Sequence, residues 1–154
     1  MLRKILVVLA VLIPVVGSAQ IAGQMDERDP IVAASMVFSS AYALERFEGF
    51  CESRHPRTAT LVSEARQQWM AEHQELYDQA LRVYKELLTA QQINALRSRR
   101  QAENDRVVDM INAATPAESF QFCSNVGTTF QAPEAILTDH PLLVATLANF
   151  SSDN

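Results

Sequence analysis

The chain is poor in the residues that punctuate structure: four glycines and six prolines in 154 residues. That leaves little room for a glycine-rich phosphate loop, a dinucleotide fingerprint or the G-x-S-x-G elbow of a serine hydrolase, and none is spelled. Cysteines number two, 72 positions apart, which excludes a C-x-x-C redox pair and a C-x-x-C-H haem attachment. Of three histidines, His55, His73 and His140, no two stand at helical ligand spacing, so no metal site and no cofactor is expected. Nor is there a strand-period segment, an internal repeat or a low-complexity tract. Positive charge is also scarce, at 13 basic against 18 acidic residues. Such a balance disfavours nucleic acid and anionic membranes as partners.

The N-terminus carries a different signal. Arg3 and Lys4 precede an apolar run from Ile5 to Val16, and Gly17-Ser18-Ala19 offers small residues for cleavage. This is the pattern of a secretory signal peptide over residues 1–19. The run is too short to span a bilayer, which takes about 20 apolar residues. The mature chain is therefore expected to begin at Gln20, to be periplasmic or secreted, and to make no stable membrane insertion. Cleavage removes two basic residues and no acidic one, so the formal charge becomes 11 − 18 = −7. In an oxidising compartment an even cysteine count points to a disulfide, and Cys51 and Cys123 allow one pairing.

What remains is rich in alanine, leucine, glutamine and glutamate, which are helix formers. Residues 20–28 read as a flexible lead-in, 29–150 as a single helical domain and 151–154 as a polar tail. Asp29-Pro30 pairs a capping aspartate with a proline at the first helical position. The helix that follows, to about Ser53, is apolar nearly all round in its first half, as a central helix would be. His55-Pro56 ends it. Leu61, Ala65, Trp69, Leu76, Ala80, Val83 and Leu87 then mark one helix from Thr58 to about Leu88. Thr89 with Gln92, and Thr115-Pro116 with Glu118, spell capping boxes for a third helix (about 90–113) and a fourth. Ile93, Leu96, Val107, Met110 and Ile111 line the third; Phe120, Cys123, Val126 and Phe130 line the fourth, which Pro133 breaks. A short final helix after Asp139 carries Leu142, Leu143 and Leu147. The expected fold class is all-α: an up-and-down bundle of four main helices plus a short C-terminal helix, stapled by one disulfide.

Leu88-Thr89-Ala90-Gln91-Gln92 resembles the L-T-x-x-Q motif that occurs twice in the Spy and CpxP family of periplasmic helical chaperones. Here it occurs once, because Leu137-Thr138-Asp139-His140-Pro141 lacks the glutamine. Five residues carry no family assignment.

Two charged groupings read as ordinary solvated surface: Glu45, Glu48 and Glu52 on one helix face, and Arg97, Arg99 and Arg100 among acids. One polar set interrupts the apolar stripes. With a turn near Leu88, Glu72 and His73 lie level with Arg100 and Glu103, which suggests a polar layer across the hairpin. The expected function is binding, by an exported accessory, inhibitor or chaperone-like protein with a protein or peptide client. Alternatives are a structural envelope-associated protein, or a small-ligand carrier or enzyme that uses the polar layer around His73.

Overall fold

A computed structural model describes residues 26–131 and 137–152. The signal segment, most of the lead-in and Pro133 lie outside them. Within them the chain is all-α, with six helices and no strand.

Helix α1 (Pro30–Arg54) starts as its sequence dictates: the Asp29 carboxylate accepts the Ile31 N–H at 2.8 Å and Pro30 takes the first position. It is the axis of the bundle. Ala33, Ala34, Val37, Leu44 and Cys51 are fully buried around its circumference, so neighbours cover it on several sides. His55 leaves the helical region ahead of Pro56, and a single 3₁₀ turn (Pro56–Thr58) reverses the chain.

Where periodicity predicts one continuous helix over 58–88, there are two: α2 (Ala59–Glu72) and α3 (Gln74–Leu87). The break is one residue wide. His73 adopts φ −112°, ψ 12°, while its N–H still reaches Trp69 O and its own carbonyl still accepts from Tyr77 N–H. At the break the imidazole bonds backbone on two sides. Nδ1 lies 2.8 Å from Trp69 O, and Nε2 lies 3.0 Å from Leu137 N. No proline or glycine announces this bend. Both α2 and α3 run antiparallel to α1, linked by Arg66–Glu48 near one end and Tyr84–Ser35 near the other.

Both capping boxes form. Thr89 and Gln92 open α4 (Ala90–Asn112), with Gln92 Oε1 on Thr89 N–H at 2.9 Å; Thr115 and Glu118 do the same for α5 (Pro116–Phe130), also at 2.9 Å. Helix α4 runs parallel to α1, since Arg46 pairs with Asp105 and Arg54 with Asn112. Helix α5 is antiparallel to α1, and the two are joined by the Cys51–Cys123 disulfide at a Cα separation of 5.6 Å. A 3₁₀ turn (Leu137–Asp139) leads into α6 (Pro141–Ser152), which packs on α3 and α1 through Leu143 and Leu147.

Five residues assigned to apolar faces are instead exposed: Leu61, Leu87, Met110, Phe120 and Leu142, each at 45 to 52%. Neighbouring positions take the core: Val62 and Phe122 are buried in place of Leu61 and Phe120. In α5 the inner face is Ser119, Phe122, Cys123 and Val126, an i, i+3, i+4, i+7 set. Its first member is a serine, which hides the stripe from a hydrophobicity count. Phe122 then stacks edge-on to Phe47, with centroids 5.1 Å apart.

Candidate functional site

The four residues of the expected polar layer do not meet. His73 is 1% exposed and spends both ring nitrogens on backbone, while its ring stacks on Trp69 at 4.3 Å. Trp69 O can only accept and Leu137 N–H can only donate, so the neutral ring with its proton on Nδ1 is the species that fits. Glu72 is exposed and accepts from Gln68 at 2.9 Å. Glu103 pairs outward with Arg99 at 3.1 Å. Among the described residues Arg100 bridges no carboxylate; its Nη2 donates to Tyr84 Oη at 3.2 Å. Level position along two helices fixes height and not azimuth, and the four side chains point to different sides. Only Cys51 and Cys123, among the singled-out residues, come together.

Arg100 instead marks the rim of a groove that runs along α1 between α4 and the α2–α3 pair, about 500 Å³ in volume. Each wall is one helical stripe. Helix α1 supplies Phe38, Ala41, Tyr42 and Glu45, again at i, i+3, i+4, i+7; α3 supplies Tyr77, Leu81, Tyr84 and Lys85. Helix α2 adds Arg66 and Met70, and α4 adds Ile93, Arg97 and Arg100. The floor is aromatic: Phe38 lies 5.1 Å from Tyr77, edge to face, and 4.6 Å from Tyr84. Arg100 is held over this floor, 5.5 Å from the Phe38 centroid and 5.9 Å from that of Tyr84. Tyr84 Oη in turn sits 2.7 Å from Ser35 Oγ, so the guanidinium is positioned by a buried tyrosine that α1 fixes.

The rim is electrostatically lopsided. Arg66 is satisfied by Glu48 at 3.0 Å, and Glu45 is the one carboxylate in the lining. Across from them Lys85, Arg97 and Arg100 have no carboxylate within ion-pair distance among the described residues, although the chain as a whole is acidic. Sequence reasoning assigned Arg97 to ordinary charged surface, and read Arg100 both as part of that surface and as a member of the polar layer. The available signal was their register: both lie one and two turns beyond Ile93 on the same face.

A second, smaller cleft of about 230 Å³ lies at the opposite end of α1, between Phe50, Ile111 and Ser119. There His55 Nε2 is 2.8 Å from Ser119 Oγ. The pair follows from the disulfide, because His55 and Ser119 stand four residues beyond Cys51 and before Cys123 on antiparallel helices. Ser119 Oγ also lies 3.2 Å from Pro116 O, and no third group orients His55 Nδ1 among the described residues. This is a clamp between the 3₁₀ turn and the start of α5, without the base-orienting partner of a nucleophilic triad. No described helix is long and apolar enough to cross a membrane, and no cluster of three or more His, Cys, Asp or Glu could hold a metal among the described residues. No family model matches the chain, and neither a curated protein nor a solved structure matches it.

Proposed function

We propose that this is an exported protein of an oxidising compartment, the periplasm or the medium, that works by binding a protein or peptide client in the α1–α4 groove rather than by catalysis. The groove carries the reading: an aromatic floor with unpaired cations at its lip, of which Arg100 is held in place. Partner helices seat in apolar grooves through side chains at i, i+3, i+4 and i+7, and aromatic and arginine residues dominate the energetics of such sites. The disulfide suits the compartment, and the signal-like residues 1–19 supply the route.

The test is site-specific crosslinking in the producing cell. A photoreactive benzoylphenylalanine in place of Tyr77, in the groove, is expected to give a discrete adduct. The same residue in place of exposed Gln101 on the outer face of α4 is expected to give none. Adducts of equal yield from both positions, or from neither, refute a groove-borne client.

A further inference from the structure

The chemistry of the rim narrows what the client must present. The groove extends about two helical turns: Phe38 to Glu45 on α1 and Tyr77 to Lys85 on α3 cover roughly 10–12 Å at 1.5 Å per residue. Its walls are helices and its floor is a helical ridge, the shape into which another helix packs. Toward the α3–α4 turn the α4 wall bears Arg97 and Arg100, and Lys85 stands across from them on α3, all three lacking a carboxylate partner among the described residues. The other end, toward α2, is already neutralised by Arg66–Glu48, with Glu45 beside it. Arg100 is preset over Phe38 and bonded to Tyr84, so an incoming anion meets an ordered guanidinium and little side-chain freedom is lost. These charges sit on a protein whose net charge repels acidic partners at long range. A local cationic cluster on an acidic body selects by position.

We propose that the occupant is an acidic amphipathic helix of the client, about two turns long, whose apolar residues enter over Phe38, Tyr77 and Leu81 and whose carboxylates lie along Lys85, Arg97 and Arg100. This rests on the groove being the client site. The segment lies in one orientation, with its acidic flank toward Arg97 and Arg100 and the Lys85 end of the groove, because Glu45 and the occupied Arg66 offer the α2 end nothing to pair. Specificity is by charge sign and not by sequence.

The experiment uses the purified, disulfide-bonded protein and three short fluorescein-labelled helical peptides. All share one Leu/Phe stripe and differ only in carrying Glu, Gln or Lys on one flank. Fluorescence anisotropy is expected to show the Glu peptide binding at least ~10-fold more tightly than the Gln peptide, with the Lys peptide weaker still. That preference is expected to shrink as salt rises toward about 0.5 M. Arg97→Gln combined with Lys85→Gln changes two exposed side chains that leave the core untouched, and is expected to reduce the Glu preference several-fold while keeping the helical circular dichroism. Arg100→Gln is expected to do the same. Equal binding of all three peptides, lost in Tyr77→Asp, overturns charge selection and leaves the groove as the client site. Binding of none of them overturns both. A Glu preference that survives undiminished when Lys85→Gln, Arg97→Gln and Arg100→Gln are combined also overturns the inference, because it then resides elsewhere.

Discussion

Replacing His73 tests the most unexpected feature of the fold, a buried imidazole that holds two distant backbone segments together. Its ring makes one hydrogen bond that nothing else can supply, from Leu137 N–H to Nε2, 64 residues away. Trp69 O keeps a partner without the ring, since His73 N–H bonds it as well. In His73→Phe the volume and the stacking on Trp69 survive, and the loss is a buried N–H left without an acceptor. That costs about 1–3 kcal/mol. In His73→Ala the stacked ring goes too and leaves a cavity beside a fully buried Trp69 and Leu137, for a total of about 3–5 kcal/mol.

Urea melts of the oxidised protein measure both losses, with the slope unchanged if two-state unfolding holds. Hydrogen exchange localises them: the Leu137 amide is expected to lose protection in both variants. The disulfide-linked α1–α5 contact is not expected to change. If His73→Phe unfolds within about 0.5 kcal/mol of wild type, the bond to Leu137 is not a support and the account of the α2–α3 break is wrong.

Reduction removes a crosslink closing a loop of 72 residues, worth about 4 kcal/mol in the chain-entropy model, so the melting temperature in dithiothreitol is expected to fall markedly; an unchanged melt refutes it. Phe122→Ala is expected to cost about 3–5 kcal/mol, against under about 1 kcal/mol for Phe120→Ala, and the reverse order in denaturant melts would restore the other α5 face. Thr115→Ala removes the acceptor for Glu118 N–H and one half of a capping box, for a loss of about 1 kcal/mol by the same melts; no loss would mean the box is idle.

The sequence made some features readable because they are local. Asp29-Pro30, Thr89 with Gln92, and Thr115 with Glu118 each satisfy backbone groups within one turn, so a few residues suffice. The disulfide was legible from the cysteine count and the expected compartment, and it fixes the α1–α5 register, from which the His55–Ser119 clamp could have been drawn. The His73 bend was not legible. The ring's distant partner is Leu137, far along the chain, and a histidine on an apolar stripe spells the same thing whether it breaks the helix or not. The polar layer failed for a related reason. Periodicity places a residue on a stripe to within about half a face, and at that tolerance Glu103 facing Arg99 outward and Glu103 facing a partner inward are the same reading.

The groove and the thinness of α4 are one fact. Helix α1 needs cover on all sides, yet of the 23 residues of α4 only Ile111 is buried; Ile93, Leu96, Val107 and Val108 are half-covered. Midway along α4 stand Arg100, Asn104 and Asp105, which pair with Tyr84, their own helix and Arg46, and these polar groups hold α4 off the core. Arg100→Leu tests this. The change forfeits a hydrogen bond to Tyr84 and a cation–π contact worth about 0.5–2 kcal/mol, and gains part of the roughly 1.5–3 kcal/mol of burying a leucine. The two nearly cancel, so stability is expected to move by less than about 1 kcal/mol, while the Glu-flanked peptide loses its advantage. That is the usual exchange between function and packing at a binding site. A destabilisation of about 3–5 kcal/mol would mean instead that Arg100 is the partner of a buried charge, and the groove would then be a by-product of core electrostatics rather than a surface kept open for a ligand.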